Sequence, residues 1–61
     1  MVITISENSY GTVVLRSRNP GFVNAFGGEM VIDKKSLFAA MWNISYYANN
    51  TLKEECIFDV E

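Results

Sequence analysis

Proton transfer and nucleophilic attack usually draw on His, Cys, Lys or paired carboxylates held in a pocket, and this chain of 61 residues offers few of them. It has no histidine and one cysteine, Cys56, so a histidine-based triad, the usual Cys/His zinc sets and an internal disulfide are excluded by composition. Cys56 lies in the inward phase of an alternating apolar segment, which predicts a buried, inert thiol. Glu54 and Glu55 are adjacent and would point to opposite faces of a strand, a poor placement for an acid and a nucleophile that must flank one bond. Charges that keep an edge strand from aggregating explain them better. Gly27-Gly28-Glu29 superficially resembles a phosphate loop, but neither G-x-x-x-x-G-K-[ST] nor G-x-G-x-x-G spacing is present, which leaves a hairpin or loop hinge. The expectation is no catalytic set, no cofactor and no metal site.

What remains is recognition. Arg16 and Arg18 share one face of an expected strand, with Tyr10 and Phe22 nearby in sequence, and could stack on and neutralise single-stranded RNA. Seven acidic residues against five basic ones, a net charge of −2, count against that use, because nucleic-acid modules gather a basic patch. Lys34 and Lys35 add a second basic pair, and a solvated sheet face accounts for both pairs more simply.

A stronger signal lies between Lys35 and Lys53, where no residue is charged and Ser36 to Asn49 reads as one helix. At about 100° per residue, Leu37, Ala40, Met41, Ile44 and Ala48 share one face, and Phe38, Trp42 and Tyr46 form a second stripe at i, i+4 and i+8. A sheet can take the first face. Phe38 lies close enough to Leu37 and Met41 to be buried with them, but Trp42 and Tyr46 are harder to absorb, since a sheet covers one side of a helix. They must wrap around the sheet edge or meet another molecule. Two copies packing these faces would give a two-fold homodimer, and a foreign protein taking one copy would make this chain a small binder or inhibitor.

The elements that position these residues follow from period and turn chemistry. Residues 1 to 6 alternate as a strand with Met1, Ile3 and Ile5 on one face; Glu7 to Gly11 is a turn; Thr12 to Arg18 is a second strand forming a hairpin with the first. Asn19-Pro20-Gly21 predicts a tight turn, and Phe22 to Phe26 a short strand or an irregular crossing that lays Phe22, Val23 and Phe26 on the core. Glu29 to Ile32 is a short strand, Asp33 caps the helix, and Asn49-Asn50 ends it in the left-handed conformation. Glu54 to Glu61 alternates with Cys56, Phe58 and Val60 inward and Glu55, Asp59 and Glu61 outward, while Ile57 breaks the polar face. The acidic row could steer toward a basic partner such as a nucleic-acid-handling enzyme, with solubility as the plainer reading.

The fold expected is α+β: one domain over residues 1–61, a small antiparallel sheet of three to five strands with one helix across it, in the order β-β-(β)-β-α-β, the neighbour of the last strand left open. A chain this short buries only about 60% of its unfolded surface, so without a metal or disulfide it is expected to gain stability from a second copy or a partner. The N-terminus lacks a basic n-region, and the stretch around Trp42 is interrupted well before the roughly 20 apolar residues a membrane span needs. A cytoplasmic protein is therefore expected, in which the sequons Asn43-Ile44-Ser45 and Asn49-Asn50-Thr51 are chance matches. The function expected is that of a small non-enzymatic protein-binding module, an accessory or inhibitor protein of the phage or mobile-element kind that antagonises host defence by occluding a larger protein. Its surface would comprise Phe38, Trp42, Tyr46, Ile57, Glu55 and Asp59. A self-associating assembly subunit is the second expectation, and nucleic-acid binding through Arg16 and Arg18 the weakest.

Overall fold

Period-two alternation at the N-terminus builds the centre of the sheet. In the computed structural model, which describes residues 1–61 apart from the side chain of Leu52, β1 (Val2–Glu7) buries Ile3 and Ile5 and turns Val2, Thr4 and Ser6 to the other face. The Asn8 carboxamide oxygen then accepts from the N–H groups of Tyr10 (2.9 Å) and Thr12 (3.3 Å), and Gly11 supplies the positive φ (78°) that closes the turn. β2 (Thr12–Arg16) returns antiparallel, pairing Ile5 with Leu15 and Thr4 with Arg16. It ends at Arg16, two residues earlier than expected: the Ser17 N–H still donates to the Gly28 carbonyl (3.2 Å) in the β2–β3 register, but the Ser17 hydroxyl accepts from the Asn19 N–H (3.1 Å), a local bond that leads into the cap of the next element.

Residues 20–26 correct the sequence reading. They form neither a turn nor a strand but a helix, α1 (Pro20–Phe26). The Asn19 side chain caps it by accepting from the Gly21 N–H (2.9 Å), Pro20 occupies the first turn where its missing N–H costs nothing, and Gly27 closes it at φ 77° with its N–H on the Val23 carbonyl. Phe22 and Phe26, four residues apart, stack 5.0 Å between centroids, and Phe22 is fully buried. Val23, expected on the core, is instead exposed over 45% of its surface.

β3 (Glu29–Asp33) pairs antiparallel with β2, and the Asp33 carboxylate caps the following turn by accepting from Lys35 N–H (3.3 Å). That turn is a single 3-10 turn, Lys34–Ser36, which feeds α2 (Leu37–Tyr47). The helix does not stop at Asn49-Asn50. The Asn50 amide donates to the Tyr46 carbonyl (2.8 Å), the chain continues through a π-helical turn, Ala48–Leu52, and the left-handed residue is Lys53 (φ 55°). Ile44 and Ala48 are the buried positions on this run, with Leu37, Ala40 and Met41 half-buried beside them.

β4 (Ile57–Val60) completes a four-stranded sheet in the order β3-β2-β1-β4, so the neighbour of the last strand is the first. The fold is α+β, as expected, but the sheet is mixed rather than antiparallel, because β4 runs parallel to β1. The helical crossover causes this: α2 carries the chain back to the end where β3 began, so β4 must share the direction of β3 and therefore of β1. The N-terminal amine anchors the same junction, donating to the Glu55 carbonyl (2.7 Å) and lying 3.5 Å from the Glu54 carboxylate, which also accepts from the Asn19 side chain (3.1 Å).

Phe22→Ala should lower stability by about 3–5 kcal/mol in urea denaturation, a large share of what so small a domain has. Asn19→Ala should cost about 1 kcal/mol through loss of the α1 cap. Phe38→Ala, at a solvent-exposed position, should stay within about 0.5 kcal/mol of the parent chain.

Candidate protein-binding surface

The helical rise places Phe38, Trp42 and Tyr46 one turn apart on the outer side of α2, and all three are exposed, at 86%, 66% and 60% of their free surface. Phe38 is the most exposed, so the reading that buried it with Leu37 and Met41 does not hold. Trp42 and Tyr46 lie 5.9 Å apart between centroids, tilted 60°, and flank a shallow hollow with Ala39 and Asn43. Tyr47, the next residue, turns to the other side and meets the edge of Phe26 at 5.8 Å.

The stripe is also the wall of a groove. Phe38 and Trp42, with Ala39, Met41 and Ser45, face Cys56 and Phe58 across a cleft of about 520 Å³ between α2 and β4. Val60 has the helix-facing phase expected of it, opposite Ile5, yet is 73% exposed because no helix reaches that end of β4. Sequence periodicity placed Phe58 and Val60 inward without indicating that the cover would be incomplete there.

Ile57, Asp59 and Glu55 belong to the opposite face. Ile57 lies beside Val2 and Asp59 beside Thr4, and both aliphatic side chains are half exposed. The Met1 amine donates to the Glu55 carbonyl while the Ile57 N–H donates to the Met1 carbonyl (2.8 Å), so the parallel ladder and its alternation extend back to Glu55. The expected surface residues therefore split into the aromatic stripe on the helix and an apolar-acidic row on the open side of the sheet, joined only through β4.

Charge is unevenly distributed. Arg16 pairs with Glu29 across β2 and β3 (2.9 Å), Lys34 with Glu7 (2.7 Å), and the N-terminal amine with Glu54. Among the described residues Glu55, Asp59 and Glu61 have no such partner, which leaves the β4 side acidic. The same pairs weaken the nucleic-acid reading: Arg16 is engaged by Glu29, the hollow beside Arg16 and Arg18 also contains Glu61, and Phe22 is buried and so cannot stack on a base. Glu54 is engaged by the N-terminal amine and by the Asn19 side chain.

No group of three or more His, Cys, Asp or Glu among the described residues could hold a metal ion, and no helix is long and apolar enough to cross a membrane. Cys56 is half-buried rather than enclosed. Burial pushes its thiol above the ordinary range; the N-terminal ammonium and a Ser45 hydrogen bond pull it down, and Glu54 raises it further. Since the raised pKa favours the protonated folded form, its contribution to stability is intact at neutral pH and is lost as pH rises through the folded-state value.

Iodoacetamide should therefore label Cys56 slowly at neutral pH and faster as pH climbs past the ordinary thiol range, and thermal stability should decline over the same interval. The chain matches no protein-family model, no curated protein and no solved structure.

Proposed function

We propose that this protein is a non-enzymatic protein-binding module that acts by covering a site on a larger protein. The observation that carries this reading is the exposed row Phe38, Trp42 and Tyr46, continuous with the apolar groove against Cys56 and Phe58. A run of large aromatic side chains left in water on so small a body is costly to solubility and common at binding surfaces, where Trp and Tyr supply large contact area and a polar handle. The partner is a foreign protein, and the acidic side of β4 favours one with a basic surface, such as an enzyme that handles nucleic acid. The mechanism is steric: a rigid small domain seated by its aromatic stripe blocks the partner's site or its assembly. An accessory or inhibitor protein of the phage or mobile-element kind, working in the cytoplasm against host defence, is the role such a body suits.

Two measurements test this reading. Light scattering of the isolated protein should give the monomer mass at low and high concentration, with Trp42 fluorescence red-shifted and readily quenched by acrylamide; a dimer with shielded Trp42 would instead assign the stripe to self-association. In affinity capture, Trp42→Ala and Tyr46→Ala should each weaken the heteromeric complex by about 2 kcal/mol or more while leaving the melting temperature nearly unchanged. Undiminished capture by both variants would remove the stripe from the interface.

A further inference from the structure

The aromatic stripe does not use the backbone of β4, and that backbone is unpaired on its outer side. Ile57 and Glu61 donate to Met1 and Ile5, and Glu55 accepts from Met1, so the odd-numbered residues face β1. In a parallel ladder the alternate residues point the other way, which leaves Phe58 and Val60 with their N–H and C=O groups directed to the open edge. The helix-facing side of this edge is the groove of Phe38, Met41, Trp42 and Phe58, and the opposite side carries Glu55, Asp59 and Glu61.

We propose that this edge accepts an extended segment of the partner protein as a fifth strand, one that alternates apolar side chains toward the groove with basic side chains toward Glu55, Asp59 and Glu61. This rests on the protein-binding reading and names the form of its partner. Ladder hydrogen bonds supply affinity in such an addition, and the alternating side chains supply specificity.

The charge pattern selects a foreign strand over a second copy. Two-fold antiparallel pairing of β4 with itself, both helices on one side of the joint sheet, requires a residue to face its own counterpart. Centred on Ile57 it opposes Glu55 to Asp59; on Phe58, Glu55 to Glu61; on Asp59, that residue to itself; on Val60, Asp59 to Glu61. Each register centred within β4 thus sets carboxylates directly across from one another, an arrangement that destabilises paired strands; centring on Cys56 instead avoids this but pairs little of β4. Lysine or arginine at the same positions converts each repulsion into attraction. The β3 edge offers no equivalent, because its Glu29 is already engaged by Arg16.

The test uses amide hydrogen exchange and NMR titration of the intact protein with a synthetic peptide, acetyl-Lys-Val-Lys-Val-Lys-Val-Lys-amide. The proposal expects protection of the Phe58 and Val60 N–H groups, a change in Trp42 fluorescence, and affinity about tenfold lower for a Glu-for-Lys peptide and for Asp59→Lys. Methylating the peptide's valine amides should abolish binding if the added strand is antiparallel, and methylating its lysine amides if it is parallel. Val60→Pro removes only an edge-facing N–H, so it should keep the fold and lose the peptide. Binding that ignores methylation, or that leaves Phe58 and Val60 unprotected, overturns strand addition. If Trp42→Ala still disrupts the natural complex, the stripe reading survives that result; protection of the β4 edge with capture indifferent to Trp42→Ala would overturn the stripe and keep the edge.

Discussion

An α-helix with its side chains is about 10 Å across and each strand of a sheet takes up nearly 5 Å, so one helix covers about two strands, and this sheet has four. That mismatch governs the molecule. α2 packs Ile44, with Leu37 and Met41 beside it, into one core with Ile3 and Ile5 of β1 and Val13 and Leu15 of β2, and Ala48 in the following turn is also buried. The short α1 packs toward β3 and adds Phe22 and Phe26 to the same core. Nothing comparable sits over β4, so Phe58 is half-covered and Val60 is left in water. The incomplete cover and the surplus apolar side of α2 meet along one line, which is why the groove and the aromatic stripe form a continuous surface.

The polar groups complement this arrangement. The two side-chain ion pairs among the described residues, Arg16–Glu29 and Lys34–Glu7, tie β2 to β3 and the turn after β3 to the end of β1, and neither involves a residue of β4. Exposed pairs of this kind contribute little to stability, but they engage two of the five basic side chains, Arg16 and Lys34. Of the acids outside these pairs, Glu55, Asp59 and Glu61 lie along β4 and its approach and Asp33 ends β3, and charge on an edge strand is a usual guard against unwanted pairing. The N-terminal amine and Glu54 hold the entry to that strand in place, so the most open part of the sheet is still fixed at its start.

Much of the fold was legible from local pattern. Alternation over residues 1–6 and 12–18, the short apolar run before Asp33 and the uncharged stretch from Ser36 each led to the right element, because burial on one face imposes a period that side chains must obey, though the second strand stops at Arg16 and the α-helix starts at Leu37. The error at residues 20–26 was one of competing local signals: Asn-Pro-Gly serves equally well as a turn and as a cap with proline in the first helical turn, and seven residues are too few for apolar periodicity to decide. The helix end was misplaced because Asn50 satisfies a carbonyl with its side chain instead of adopting the left-handed conformation, a choice made by a hydrogen bond rather than by propensity.

Sequence by itself determined the composition of the surface: no histidine, a single thiol, an uncharged helix with two apolar sides, and a last strand alternating apolar with acidic. These are properties of residue type and spacing along one element. Only the tertiary structure decided that β4 lies beside β1 and runs parallel to it, that Phe38 stands in solvent with Trp42 and Tyr46, and that the acids of β4 lack basic partners among the described residues. Those outcomes depend on which strand the crossover delivers as a neighbour and on how far one helix can reach, and contacts between segments distant in sequence set both.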